Sequence, residues 1–218
     1  MNLIGLALGL PISALLGQSA ETPTPADSIA IYTHFESAPS ESSIAYMKME
    51  LEGIMAPFGL HVDWRSLEQA NGHDVAPEIL VVRFKGSCDA GGRLPAHARR
   101  GALGWTHIAD GEVLPFSEVD CNLIRQLIAE PLAGAPPIEQ HRLLGRAMAR
   151  VLAHEMYHVL TNSTKHGTHG IAKAAYSCAE LAADHLSFEG EQIRRGRGAK
   201  ADGPPVMSPG TFDSDGVD

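Results

Sequence analysis

Positive charge is scarce in this sequence. Its 17 Lys and Arg residues stand against 26 Asp and Glu, a formal net charge of −9 over 218 residues, and they form no long stripe. Phosphate binding rests on clustered cations, so nucleic acid is not an expected partner. The small group at Arg194, Arg195 and Arg197 reads as cations gathered at a helix C-terminus. Long apolar runs are equally rare. The one at the N-terminus, "MNLIGLALGLPISALLG", is too short and too Gly-rich for a membrane span. Cysteine is limited to Cys88, Cys121 and Cys178, enough for one disulfide.

The N-terminal run is followed by small residues and a Pro/Thr stretch, which resembles a secretory signal with cleavage near Ser19–Ala20. The expected organisation is a signal peptide over 1–19, a linker over 20–28, a folded domain over 29–195 and a disordered tail over 196–218. The tail is rich in Gly, Pro, Ser and Asp and poor in large apolar groups. A secreted or periplasmic location follows, with no stable membrane span after cleavage. In such a compartment one cysteine pair oxidises. Cys88 and Cys121 are the expected pair, because each ends or follows a predicted strand. Closing their loop would contribute about 3 kcal/mol.

Strand and helix periods alternate early and give way to helices later. "SIAIYTHFE" reads as a strand, and "SESSIAYMKMELEGIMAPFG" as a helix with Ile44, Met47, Leu51, Ile54 and Met55 at helical spacing and Pro57 and Gly59 to stop it. "LHVDWRSL" and "EILVVRFKG" read as strands. "GALGWTHIADGEVLPF" reads as two short strands around a turn at Asp110–Gly111. A short helix is expected in "DCNLIRQLIAE". Pro136–Pro137 open a long helix ending near Thr161–Asn162, and a last helix is expected over "SCAELAADHLSFEGEQIRR". The expected fold class is α+β, with a small mixed sheet packed on the long helix and a C-terminal helix.

The long helix carries an anomaly. On a 3.6-residue wheel Leu144, Met148, Val151, Leu152 and Val159 share an apolar sector, with Arg142, Arg146 and Arg150 on or near the other side. Glu155 falls inside the apolar sector, flanked by His154 and His158. An ionisable group there must be paired or bound, since burying it alone costs several kcal/mol, roughly. A dication resolves this. His residues at i and i+4 share a face and can reach one ion at about 2.0–2.1 Å. Glu155, beside them, can accept a proton from a water that zinc has acidified. The pattern is H-E-x-x-H, the zincin metalloprotease motif.

A catalytic zinc keeps three protein ligands and one open position. His166, eight residues beyond His158, is one candidate for the third. Glu180, in "ELAAD", is the alternative third ligand, although Ser177-x-x-Glu180 also reads as a capping box. His169 is a lesser candidate. Tyr176, His169 and His107 are candidate donors to the oxyanion formed when a carbonyl is attacked.

"HEMYHVLTNSTKHGTHGIAK" resembles the metzincin branch of the zincins, in which H-E-x-x-H is followed by a turn and a third His. Within that branch it is most similar to poorly characterised bacterial proteins with a downstream His and a Gly-Ile-Ala-Lys-like turn. Thr164 occupies the usual third-His position, and Ala172 stands where a Gly-Ile-Met turn has Met. The resemblance implies a secreted Zn2+ endopeptidase acting on peptide or protein substrates, with Glu155 as general base. It also implies that "GALGWTH" is the strand beside the cleft, pairing with extended substrate. The competing expectation is a catalytically inactive zinc-binding, protease-like module that binds a protein partner. A third is a domain whose histidines merely pack in the core.

Overall fold

Five segments pair into one sheet: β1 (Ser28–Phe35), β2 (His61–Ser66), β3 (Glu78–Lys85), β4 (Gly104–Ala109) and β5 (Glu112–Asp120). They are seen in a computed structural model that describes residues 28–72, 76–91 and 100–202. The expected signal peptide, nearly all of the linker and the chain beyond 202 lie outside the described residues. The strand order is β2-β1-β3-β5-β4. β1 runs parallel to β2 and β3, β3 parallel to β5, and β4 antiparallel to β5 at the sheet edge. Asp110 (φ 52°) and Gly111 (φ 86°) make the two-residue turn between β4 and β5, both in the left-handed region such hairpins require.

Parallel neighbours need a crossover. That between β1 and β2 is α1 (Glu41–Met55), capped by the Ser40 side chain and followed by a 3-10 turn, Ala56–Phe58, that ends at left-handed Gly59. After β5 come α2 (Cys121–Leu127), α3 (Ala129–Gly134), α4 (Pro137–Thr161), α5 (Cys178–Ala182) and α6 (Gly190–Asp202). α4 starts on Pro137, where a missing N–H costs nothing, and stops at Asn162, whose φ of 42° turns the chain away. The architecture is α+β: a five-stranded mixed sheet packed on α4 and α1, with the C-terminal helices beyond.

The core joins Ile29, Ile31, Leu80 and Phe84 of the sheet to Met47 and Leu51 of α1 and to Leu144, Met148 and Leu152 of α4. Each such buried side chain contributes about 1.5–3 kcal/mol. α1 and α4 touch closely because position 145 is glycine. A Cβ there would lie 2.6 Å from the Ser43 carbonyl oxygen and 2.8 Å from the Met47 nitrogen.

Several details differ from the sequence reading. The single last helix expected over 177–195 is two, α5 and α6, and α6 continues to Asp202, past the expected boundary at 196. Arg146 and Arg150, expected away from the apolar sector, are buried. Arg146 donates to the carbonyls of Ala182 (3.0 Å) and Ala183 (2.9 Å), and Arg150 to those of Glu180 (2.7 Å) and Leu181 (3.1 Å). The expected disulfide is present between Cys88 and Cys121, with Cα atoms 5.1 Å apart, and Cys121 is the first residue of α2. Cys178 is a free thiol. Among the described residues no helix is long and apolar enough to cross a membrane.

Candidate metal centre

The last turns of α4 bring His154, Glu155 and His158 to a cleft of about 780 Å³. His154 and His158 are both buried, one helical turn apart, and their rings stand nearly perpendicular with centroids 4.8 Å apart. Each ring has its outer nitrogen tied down. Nδ1 of His154 lies 2.8 Å from the carbonyl oxygen of Ile171, and Nδ1 of His158 lies 2.6 Å from that of Ser163. Burial holds both imidazoles below their ordinary pKa, His154 at about 4, so both are neutral at pH 7. A neutral ring carries one proton, and the carbonyls place it on Nδ1.

Both Nε2 atoms therefore present lone pairs, and they face each other at 3.1 Å. Two acceptors cannot bond to one another. Two nitrogens sharing a tetrahedral zinc at about 2.0–2.1 Å would stand roughly 3.3–3.4 Å apart, close to the observed gap. The donor set fits a borderline-soft dication, and the carbonyl partners are the outer contacts that orient metal-binding histidines.

His166 completes a cluster of three. Its ring centroid lies 5.1 Å from that of His154 and 4.9 Å from that of His158, and one ligand atom from each residue falls within 4.8 Å of the others. The loop that carries it leaves α4 at Asn162 and closes on itself: the Gly167 N–H donates to the Ala172 carbonyl (2.7 Å), and Gly167 bridges to Lys173. Ile171 and Ala172 are fully buried. The turn at Ile171–Ala172 thus reaches the cluster through the Ile171 carbonyl, which holds His154.

Glu180 is engaged elsewhere. Its Oε2 accepts from the Ser177 N–H (2.8 Å) and hydroxyl (2.6 Å), completing the capping box of α5, and Lys173 pairs with its Oε1. These contacts pull its carboxyl down to about 2, the Lys173 bond first among them. His169 is solvent-exposed and turns to Thr168. His107 faces Glu118 across 3.7 Å, outside the cleft lining. Tyr176 does line the cleft, but its hydroxyl donates to the Ile171 carbonyl that also serves His154.

Glu155 is 3 % exposed. Burial pushes its carboxyl up to about 7, opposed by a 2.8 Å hydrogen bond from the Thr106 hydroxyl to Oε2. Its Oε1 occupies space that only a glycine leaves: a Cβ on Gly104 would come within 2.8 Å of it. Gly104 and Thr106 belong to the edge strand β4, which lines the cleft. These partners were not singled out in the sequence. Strand alternation puts positions 104 and 106 on one face, but no local pattern says that a glutamate meets them.

The cleft also has an apolar wall, from Leu103, Leu123, Leu127 and Val151. No family model matches the chain, and no match was found among curated proteins.

Proposed function

We propose that the protein is a zinc-dependent endopeptidase of the zincin type, acting in a secreted or periplasmic setting. The observation that carries this reading is the pair of Nε2 lone pairs facing each other at 3.1 Å, with His166 beside them and a buried carboxyl next in sequence. His154, His158 and His166 hold the ion. Glu180, spent on its cap and on Lys173, does not. When bound, zinc supplies Lewis acidity, making water a nucleophile near neutral pH and polarising the carbonyl under attack.

Glu155 takes the proton from the attacking water as the new C–O bond forms. It then delivers that proton to the amide nitrogen as the C–N bond breaks, so no covalent enzyme intermediate arises. β4 is the edge strand of the sheet among the described residues, and an extended peptide adds beside it as a further strand. The disulfide supports an oxidising compartment.

The test is elemental analysis beside a cleavage assay on an unfolded protein. Wild type is expected to carry close to one zinc and to cleave, while Glu155→Gln keeps the metal and loses cleavage. Stoichiometric zinc with no hydrolysis across a peptide library would replace this reading with an inactive, partner-binding module. The Ala172 turn is the feature that favours that alternative.

A further inference from the structure

The inner face of the sheet is apolar along β1 and β3, with Ile29, Ile31, Leu80, Val82 and Phe84 all buried. At the β4–β5 end the character changes. Thr106 pairs with Ser117 across the two strands, their hydroxyls 2.9 Å apart, and Ser117 is 2 % exposed. Ser117 is buried and Thr106 half-buried, and a hydroxyl taken from water costs stability unless bonded. Valine at either position would serve packing alone. Thr106 bonds Glu155 directly, and Ser117 reaches it through Thr106.

The Thr106 oxygen has three oxygen neighbours: Glu155 Oε2 at 2.8 Å, Ser117 Oγ at 2.9 Å and the Glu155 carbonyl at 3.3 Å. A hydroxyl has one proton to give. The shortest contact takes it, and Ser117 donates in turn to Thr106, giving a directed chain Ser117→Thr106→Glu155. Chains of this kind strengthen each member. Gly104, two residues earlier, leaves the hollow that Oε1 fills. Just after Thr106 the β4–β5 register shifts, an irregularity of the kind strands use to re-aim side chains beside functional sites.

We propose that Thr106, backed by Ser117, is the positioning residue for Glu155, fixing its carboxyl plane relative to the three histidines through a cup formed by Gly104, Thr106 and Ser117. This deepens the peptidase reading, and its catalytic half rests on it. One strand then does two things. β4 orients the base on its inner side and, as the edge strand among the described residues, takes the peptide on its outer side, so base and substrate are registered by the same backbone.

The experiment uses the full chain as wild type, Thr106→Val, Thr106→Ser and Ser117→Ala, with carboxyl-13C glutamate. The Glu155 resonance is assigned by its loss in Glu155→Gln. In zinc-free protein Thr106→Val is expected to move that resonance and Thr106→Ser to leave it near wild type, with Ser117→Ala between them. In zinc-loaded protein Thr106→Val is expected to lower kcat about tenfold or more, with KM within about twofold and zinc content unchanged, and Thr106→Ser to restore the rate. An unmoved resonance in Thr106→Val overturns the proposal, as does an unchanged kcat in an active enzyme. If wild type cleaves nothing, the peptidase reading falls by itself. The zinc-free resonance then decides whether Thr106 holds the carboxyl.

Discussion

The carbonyl oxygen of Ile171 lies 2.8 Å from Nδ1 of His154, seventeen residues earlier in the chain, and Tyr176 donates to the same oxygen. A buried turn thereby sets the tautomer of a candidate ligand. The hydrogen-bonding atom is backbone, so the side chain at 172 can change without touching it.

Removing a ligand and removing a cap should have separable effects. His166→Ala is expected to weaken zinc binding by more than about a hundredfold, since losing even an outer partner costs 10–100-fold. Glu180→Ala should keep full zinc occupancy and lose about 1 kcal/mol of stability with its capping box. Elemental analysis and thermal melts on the two variants read both outcomes.

Glu180 also sets a pH dependence. Its carboxyl is held near 2, below its ordinary 4.5, by Lys173 and Ser177. A depressed acid contributes stability that is complete above the unfolded pKa and is lost as pH falls from about 4.5 toward 2. Glu180→Gln should therefore flatten the melting temperature over that window. The effect should shrink in high salt because the group is partly exposed.

Two glycine-to-alanine changes should have opposite signs. Gly53, in α1, has nothing within 4 Å of a new Cβ, so alanine should stabilise the helix by about 0.5–1 kcal/mol. Gly145→Ala drives a methyl into the backbone of α1, and overpacking of roughly 1–3 kcal/mol should outweigh the helical gain. Urea titration of the two variants gives the comparison.

Reduction should be costly. The Cys88–Cys121 bond spans 33 positions, for which loop-closure entropy gives about 3–4 kcal/mol. A double Cys88→Ser/Cys121→Ser variant should melt lower by a corresponding amount. An unchanged midpoint would show that packing around α2 already supplies the constraint.

Much of this architecture was legible in the sequence. Strand alternation, the Pro137 start and Asn162 stop of α4, and the H-E-x-x-H spacing are local signals, and each appears where its local physics puts it. The break between α5 and α6 was not legible, and neither was the burial of Arg146 and Arg150. They have one cause. The two guanidiniums donate to the carbonyls of Glu180, Leu181, Ala182 and Ala183, which a continuing helix would have bonded to its own later N–H groups. The helix is stopped by another helix, through contacts 30 to 37 residues apart in the chain, and a wheel drawn for α4 alone cannot register that. The segment GALGWTH was expected beside the cleft and does line it over Gly101–Thr106, but the contact of Gly104 and Thr106 with Glu155 was not legible, because it depends on a glutamate about fifty positions downstream.

α4 is enclosed along most of its length, with His154 and His158 set by the hydrogen bonds at their Nδ1 atoms. Anyone wishing to retune what the cleft accepts should leave the helix alone, since every change there is transmitted to packing. The adjustable ground is the rim, at Ile108 and at Ala174 and Ala175, where side chains already meet solvent and can be enlarged without disturbing a neighbour's fit.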